Sequence, residues 1–156
     1  MNCENCENTD HKKILRTLLS SQKLGVLATT CGDVPHTSIV AFSCSANLEF
    51  VYFGTPIATI KFRNIEKNPH VQLLIDNRQN LAVDFSFAAA ASVIGEAEIL
   101  VAEKRNEAHS CLLKKHPELS QFFAAPTCAL VKIKVEKFSL VTRFQEVSEF
   151  SPAQVL

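Results

Sequence analysis

Phe50-Val51-Tyr52-Phe53-Gly54-Thr55-Pro56-Ile57-Ala58-Thr59-Ile60-Lys61-Phe62-Arg63-Asn64-Ile65-Glu66-Lys67-Asn68-Pro69-His70-Val71 changes character twice. Phe50 to Phe53 is an apolar run with strand character, and Gly54 breaks it. Thr55 then reads as a helix N-cap, with Pro56 at the first helical position, where a missing N–H is harmless. Asn68-Pro69 stops the helix, and Val71 opens a new apolar strand. A strand that feeds a helix start is a place to hold an anion. The first-turn amides, the positive end of the helix dipole and the hydroxyls of Thr55 and Thr59 are phosphate donors. Lys61 and Arg63 lie about a turn away and add cationic donors if the chain turns them the same way. The same pattern also suits an ordinary amphipathic connector between strands.

Upstream, Leu24 to Thr30 reads as a strand, Cys31 to Pro35 as a turn, and His36 to Ser43 as the returning strand. Cys44 to Asn47 makes the next turn, so three strands form an antiparallel meander. Before them, Ile14, Leu15, Leu18 and Leu19 recur at helical spacing behind a cap at Thr9 or Asp10, and this helix is expected to lie across an open side of the sheet.

Downstream, His70 to Asp76 is a buried strand and Asn77 to Asn80 a turn. Two strand pieces are predicted next, Ala82 to Phe87 and Ser92 to Leu100, with an alanine run between them. Ala102 to Lys115 and Glu118 to Phe123 read as helices. Ala129 to Val135 and Ser139 to Val147 read as the last strands. The fold class is therefore mainly β with flanking helices: an antiparallel β-barrel of six or more strands. Parallel βαβ repeats are absent, and four glycines without a Gly-x-Gly disfavour a dinucleotide fold. The expected organisation is a flexible segment over 1–8, one barrel domain over 9–147 and a tail over 148–156.

Sixteen lysines and arginines balance sixteen aspartates and glutamates in 156 residues, which argues against general nucleic-acid or anionic-membrane binding. No apolar run approaches the roughly 18 residues of a membrane helix, and Met1 to Cys6 lacks a secretion signal. The cytoplasm is the expected compartment, and cysteines there are mostly reduced. Cys31, Cys44, Cys111 and Cys128 read as packing or incidental residues. Cys3 and Cys6 have chelating or redox spacing, yet no second cysteine pair exists, and no metal site is expected. The five histidines are scattered, and His70 reads as structural or exposed rather than catalytic.

Tyr52-Phe53-Gly54-Thr55, Thr59-Ile60-Lys61, Asn64 and Asn68-Pro69-His70-Val71 form an ordered series that resembles the FMN-binding split-barrel proteins of the pyridoxamine 5'-phosphate oxidase-like superfamily. Leu24 to Thr30 and Pro35 to Phe42 resemble that family's first two barrel strands. The resemblance implies a split barrel with FMN as cofactor. It implies that Thr59 and Lys61 bind the phosphate, with Tyr52 and Thr55 at the strand end beside them. It also implies that His36, Thr37, Ser38, Ile39 and Val40 run along the isoalloxazine ring. Such proteins pair as homodimers with FMN between subunits, so residues from Leu81 to Ala91 or the final strand would complete the site from across the interface.

The chain departs from true pyridoxamine phosphate oxidases. Their phosphate-binding Arg and Lys on the strand after Pro35 correspond here to Ser38 and Ser43, and the Trp-Arg element has no counterpart in a chain without tryptophan. Vitamin B6 oxidation is therefore not the expected activity. The resemblance points instead to a flavin-dependent oxidoreductase that passes electrons from a reduced nicotinamide to a small acceptor. The alternatives are a non-catalytic flavin- or haem-binding electron-transfer protein and a relative that uses the deazaflavin F420.

Overall fold

Among the described residues, seven antiparallel strands carry the chain: β1 (Leu24–Thr30), β2 (Pro35–Cys44), β3 (Phe50–Pro56), β4 (His70–Asp76), β5 (Ala89–Ile99), β6 (Cys128–Thr142) and β7 (Glu146–Phe150). The computed structural model describes residues 3–156, with side chains from Thr9 onward. The sheet order is β3-β2-β1-β4-β5-β6-β7, and β3 also pairs with β6. The first six strands of the chain therefore close a barrel, and β7 is appended outside it on β6. This is the antiparallel barrel that the alternating apolar runs predict, and the split barrel that the resemblance implies.

Alternation along each strand sends one set of side chains inward. Leu27, Val40, Phe42, Val51, Phe53, Leu73, Val93, Ile133 and Leu140 fill the interior and are buried. Helix α1 (Cys3–Ser21) adds Leu15, Leu18 and Leu19 to the same core, as its helical spacing predicts. Helix α2 (Ile60–Lys67) connects β3 to β4 and contacts β1 and β2. A second, smaller core lies on the outer side of β3 and β6. There α4 (Arg105–Lys115) and α5 (Ser120–Ala124) bury Tyr52, Leu112, Phe123, Cys128 and Leu130.

Several boundaries differ from the sequence reading. Strand β3 runs past Gly54 to Pro56, because β6 pairs with it along Phe50 to Pro56. Gly54 is no break: a Cβ there would meet Phe123 Cδ1 at 2.9 Å, so glycine lets α5 pack against the strand. The N-cap of α2 is therefore Thr59 rather than Thr55, and Pro56 ends a strand instead of starting a helix.

Ala82 to Phe87 is not a strand. The Asp84 carboxylate accepts the backbone N–H groups of Gln79 and Leu81, at 2.9 and 3.0 Å, and draws the segment into a turn before the short helix α3 (Asp84–Phe87). The alanine run belongs to β5. The last two predicted strands are divided differently: β6 is continuous through Thr142, and a turn precedes β7. Arg143 and Phe144 hold φ of 46° and 65° there, a conformation that residues of their kind do not advertise.

The segment 148–156, expected as a tail, completes β7 and forms α6 (Pro152–Val155), whose Val155 is fully buried. Arg16 donates to the Val155 carbonyl and ties α6 to α1. Helix α1 begins at Cys3 rather than at a cap near Thr9, since no Pro or Gly interrupts 3–10. The side chains of Cys3 and Cys6, whose spacing the sequence singles out, lie outside those described. Among the described residues no helix is long and apolar enough to cross a membrane.

Candidate functional site

The barrel is split where β2 parts from β3. Residues 35–41 of β2 pair with β1, whereas β3 pairs with β2 only at Phe42, Ser43 and Cys44. In an antiparallel ladder the two backbone groups of a residue point to the same side, and successive residues alternate. Phe42 donates its N–H to Lys23 on the β1 side. Thr37 and Ile39 therefore turn their N–H and C=O groups to the other side, where no strand among the described residues meets them, and Ala41 marks the point where β3 takes up the pairing. The peptide groups of Thr37 and Ile39 form an open edge of donors and acceptors, the kind of edge that a flat heterocycle with an amide-like rim can pair with.

Alternation also divides the side chains of this strand. Val40 points into the core, and Ser38 lies on the same side with its hydroxyl oxygen buried and without a partner among the described residues. Thr37 and Ile39 face outward, Ile39 with 68 % of its surface exposed. His36 at the start of the strand is half-buried.

Helix α2 is tied to this end of the sheet. Asn64, a buried residue, donates Nδ2–H to Thr29 Oγ1 at 3.1 Å, and Thr29 Oγ1 donates at 3.5 Å to the carbonyl of His36. Lys61 lies three residues before Asn64 and so shares its helix face. Its side chain is half-buried, and no carboxylate among the described residues lies within 4.0 Å of its ammonium. Burial without a counterion holds the Lys61 pKa below the usual lysine value. A cation in that condition favours the approach of an anion.

Thr59 Oγ1 accepts the N–H of Phe62 at 3.3 Å and donates to the Pro56 carbonyl at 2.9 Å. Thr55 is fully buried, with its hydroxyl 3.1 Å from that of Thr59. The two threonines thus fix the start of α2, whose Ile60 and Lys61 amides lack intrahelical acceptors. Free first-turn amides and a free lysine on one short helix suit a phosphate.

Of the nine residues that the sequence singles out, the structure brings Thr55, Thr59 and Lys61 together on the β3–α2 connection. It sets His36, Thr37, Ser38, Ile39 and Val40 along the strand over which α2 is held. Tyr52 goes elsewhere. Its ring is buried in the second core, on the opposite side of β3 from the barrel interior. The phenol pKa is pushed up, first by burial and then by the Glu107 carboxylate, which lies beside the hydroxyl without meeting hydrogen-bond geometry. Thr29 is the residue that the sequence reading missed. It looks like the polar end of an ordinary strand, and only the fold shows that Asn64 reaches it.

The outer surface of the sheet beside the open edge is apolar. Ile39, Val26 and Leu74 are cross-strand neighbours in one row. Beyond them a cleft of about 560 Å³ is lined by Leu74, Ala90, Val141, Phe85 and Phe144, the two phenylalanine rings meeting edge to face at 5.4 Å. Leu81, Phe85, Phe87 and Phe144 are all largely exposed.

These features define a split-barrel chain with a short helix whose first amides are free and a stretch of β2 that β3 leaves unpaired. The family model for pyridoxamine 5'-phosphate oxidase matches residues 12–142, and the chain belongs to that family. Solved structures share the fold. A haem-binding protein from Mycobacterium smegmatis superposes with a TM-score of 0.79 at 15% identity, over 95% of this chain and 59% of its own. A Clostridium acetobutylicum protein of the pyridoxinephosphate oxidase family, related to general stress protein 26 of B. subtilis, gives 0.72 at 14% identity, over 95% and 99%. An FAD-binding protein from Mesorhizobium loti gives 0.67 at 15% identity, over 89% and 93%. No curated protein matches the sequence. At these identities the structural likeness speaks for the fold alone.

Proposed function

We propose that the chain binds FMN and acts as a flavin-dependent oxidoreductase, taking electrons from a reduced nicotinamide and delivering them to a small acceptor. The observation that carries this reading is the open edge of β2, where the peptide groups of Thr37 and Ile39 have no strand partner among the described residues. Bound FMN would supply a ring that accepts and releases two electrons. The chain's residues do the rest. The Thr37 and Ile39 peptides pair with the polar rim of the ring, and the orphaned Ser38 hydroxyl offers a donor nearby. Lys61 and the first amides of α2 hold the phosphate, with Thr55 and Thr59 keeping the helix start in place.

The protein is proposed to work as a homodimer that encloses the flavin between subunits. Support comes from the apolar outer surface around Ile39, Val26 and Leu74, which a second copy would cover. A cofactor on an open edge gains a dry environment only when something closes over it. Vitamin B6 oxidation is not proposed, because β2 carries serines where a substrate and cofactor phosphate would need cations.

The test is an absorbance spectrum of the purified chain before and after addition of FMN and desalting. Retained bands of oxidised flavin support the reading, and Lys61→Ala is then expected to weaken binding by about 1–3 kcal/mol through loss of a charge-assisted contact. Steady oxidation of NADH or NADPH with an added acceptor supports the catalytic part. A Soret band replaces flavin with haem. A colourless protein that keeps no FMN overturns the proposal.

A further inference from the structure

His70, Glu96 and Glu136 come from three different strands, far from the β2 edge in sequence, and meet on the outer surface of the sheet. Their ligand atoms, one from each residue, lie within 4.8 Å of one another, and His70 Nδ1 is 3.8 Å from Glu96 Oε1. His70 opens β4 directly opposite Glu96 on β5, so the pairing register alone places this imidazole beside this carboxylate.

Glu136 is brought to them by an irregularity. The register of β5 against β6 slips after Ile94: Ile94 pairs with Lys137, but Gly95 pairs with Val135, leaving Glu136 as the extra residue of a β-bulge. The inward-facing residues Val135 and Phe138 are three apart, where an unbroken strand would space them by two. Gly95 makes the bulge feasible, since a Cβ there would lie 2.1 Å from the Lys134 carbonyl oxygen. The bulge turns Glu136 outward toward Glu96, and two carboxylates are held together with an imidazole.

No lysine or arginine among the described residues forms an ion pair with either carboxylate. Lys132 is engaged by Glu98 at 2.8 Å and Lys137 by Glu149 at 2.7 Å. Lys134 sits across from Glu96 in the register yet makes no ion pair with it. Like charges set side by side repel, and a cation shared between them reverses the sign of that interaction.

We propose that His70, Glu96 and Glu136 bind one divalent transition-metal ion, with Zn²⁺ the ion that suits the donors. One imidazole nitrogen and two carboxylate oxygens are borderline and hard ligands that Zn²⁺ accepts together, whereas Mg²⁺ and Ca²⁺ call for oxygen alone. Ligand atoms around Zn²⁺ at about 2.0–2.1 Å stand roughly 3.3 Å apart, so the three exposed side chains close by small rotamer changes. Three protein ligands leave coordination positions to water, and the site is open rather than sealed. The inference is independent of flavin binding. No spacing in the sequence announces it, because the ligands are contributed singly by three strands.

The experiment is a calorimetric titration of ZnCl₂ into the full-length, metal-stripped chain carrying Cys3→Ser and Cys6→Ser, which removes the thiol pair as a competing chelator. One Zn²⁺ per chain is expected, with affinity at least about tenfold weaker when Glu136→Gln or His70→Ala is added to that background. Both are exposed positions, and unchanged melting temperatures without metal confirm that the variants fold. Zn²⁺ should raise the melting temperature of the parent and leave that of the His70→Ala variant where it was. Absence of uptake, or an affinity indifferent to either substitution, overturns the proposal.

Discussion

Lys61 brings a positive charge into a half-buried place with no anion beside it, and this has opposite consequences for the empty and the loaded chain. Its pKa is lowered from 10.5 by burial, so the folded chain releases this proton more readily than the unfolded one. Below the folded pKa the buried charge opposes folding. That penalty fades as pH rises through the folded pKa toward the unfolded one. Phosphate binding requires the charged form and runs the other way. FMN affinity, followed by fluorescence quenching from about pH 7 to about pH 10, should fall at a lower pH than an ordinary lysine would dictate, and Lys61→Ala should abolish this dependence. Lys61→Met should slightly raise the melting temperature of the flavin-free chain while weakening FMN binding, since it removes an unpaired buried charge.

At the scale of elements, two glycines decide where strands can lie. Gly54 lets Phe123 of α5 pack on β3, and Gly95 lets β5 approach the bulge of β6. The Cβ of an alanine at Gly95 would fall against a backbone carbonyl, which has no rotamer to retreat into. Gly95→Ala should therefore destabilise the fold by about 2–4 kcal/mol in urea denaturation, more than an ordinary glycine-to-alanine change in a strand. The open stretch of β2 is an element-scale property as well. Leu24 to Thr30 and the strand after Pro35 were legible as a hairpin, and the structure has them at those positions. That β3 then abandons β2 after three paired residues to join β6 was not legible, because no local pattern encodes which edge a strand will take.

For the whole molecule, the outer sheet surface is the feature that sets its expected association. Ile39, at 68 % exposed, and Phe144, at 69 %, are large apolar side chains that water does not favour. In the proposed homodimer Ile39→Asp should shift the chain to monomer in sedimentation velocity and weaken FMN retention together, since one surface serves both. A monomeric parent chain, or a variant that loses dimerisation and keeps full flavin affinity, would separate the site from the interface and reject the shared surface.

Composition and alternation determined that this chain is an antiparallel β-barrel with flanking helices, because period-two burial and helical spacing are written locally in the residues. The ordered series from Tyr52 to Val71 marked the family and the Thr59–Lys61 phosphate candidate. Tertiary structure alone decided that Tyr52 belongs to a second core and that Thr59 caps α2. It alone decided that Val155 is core rather than tail. Each of these turns on a partner distant in sequence: β6 for β3, α4 for Tyr52, α1 and the barrel for α6. The meeting of His70, Glu96 and Glu136 is of the same kind. It depends on strand register and one bulge, and register is a property of pairs of strands that neither strand carries by itself.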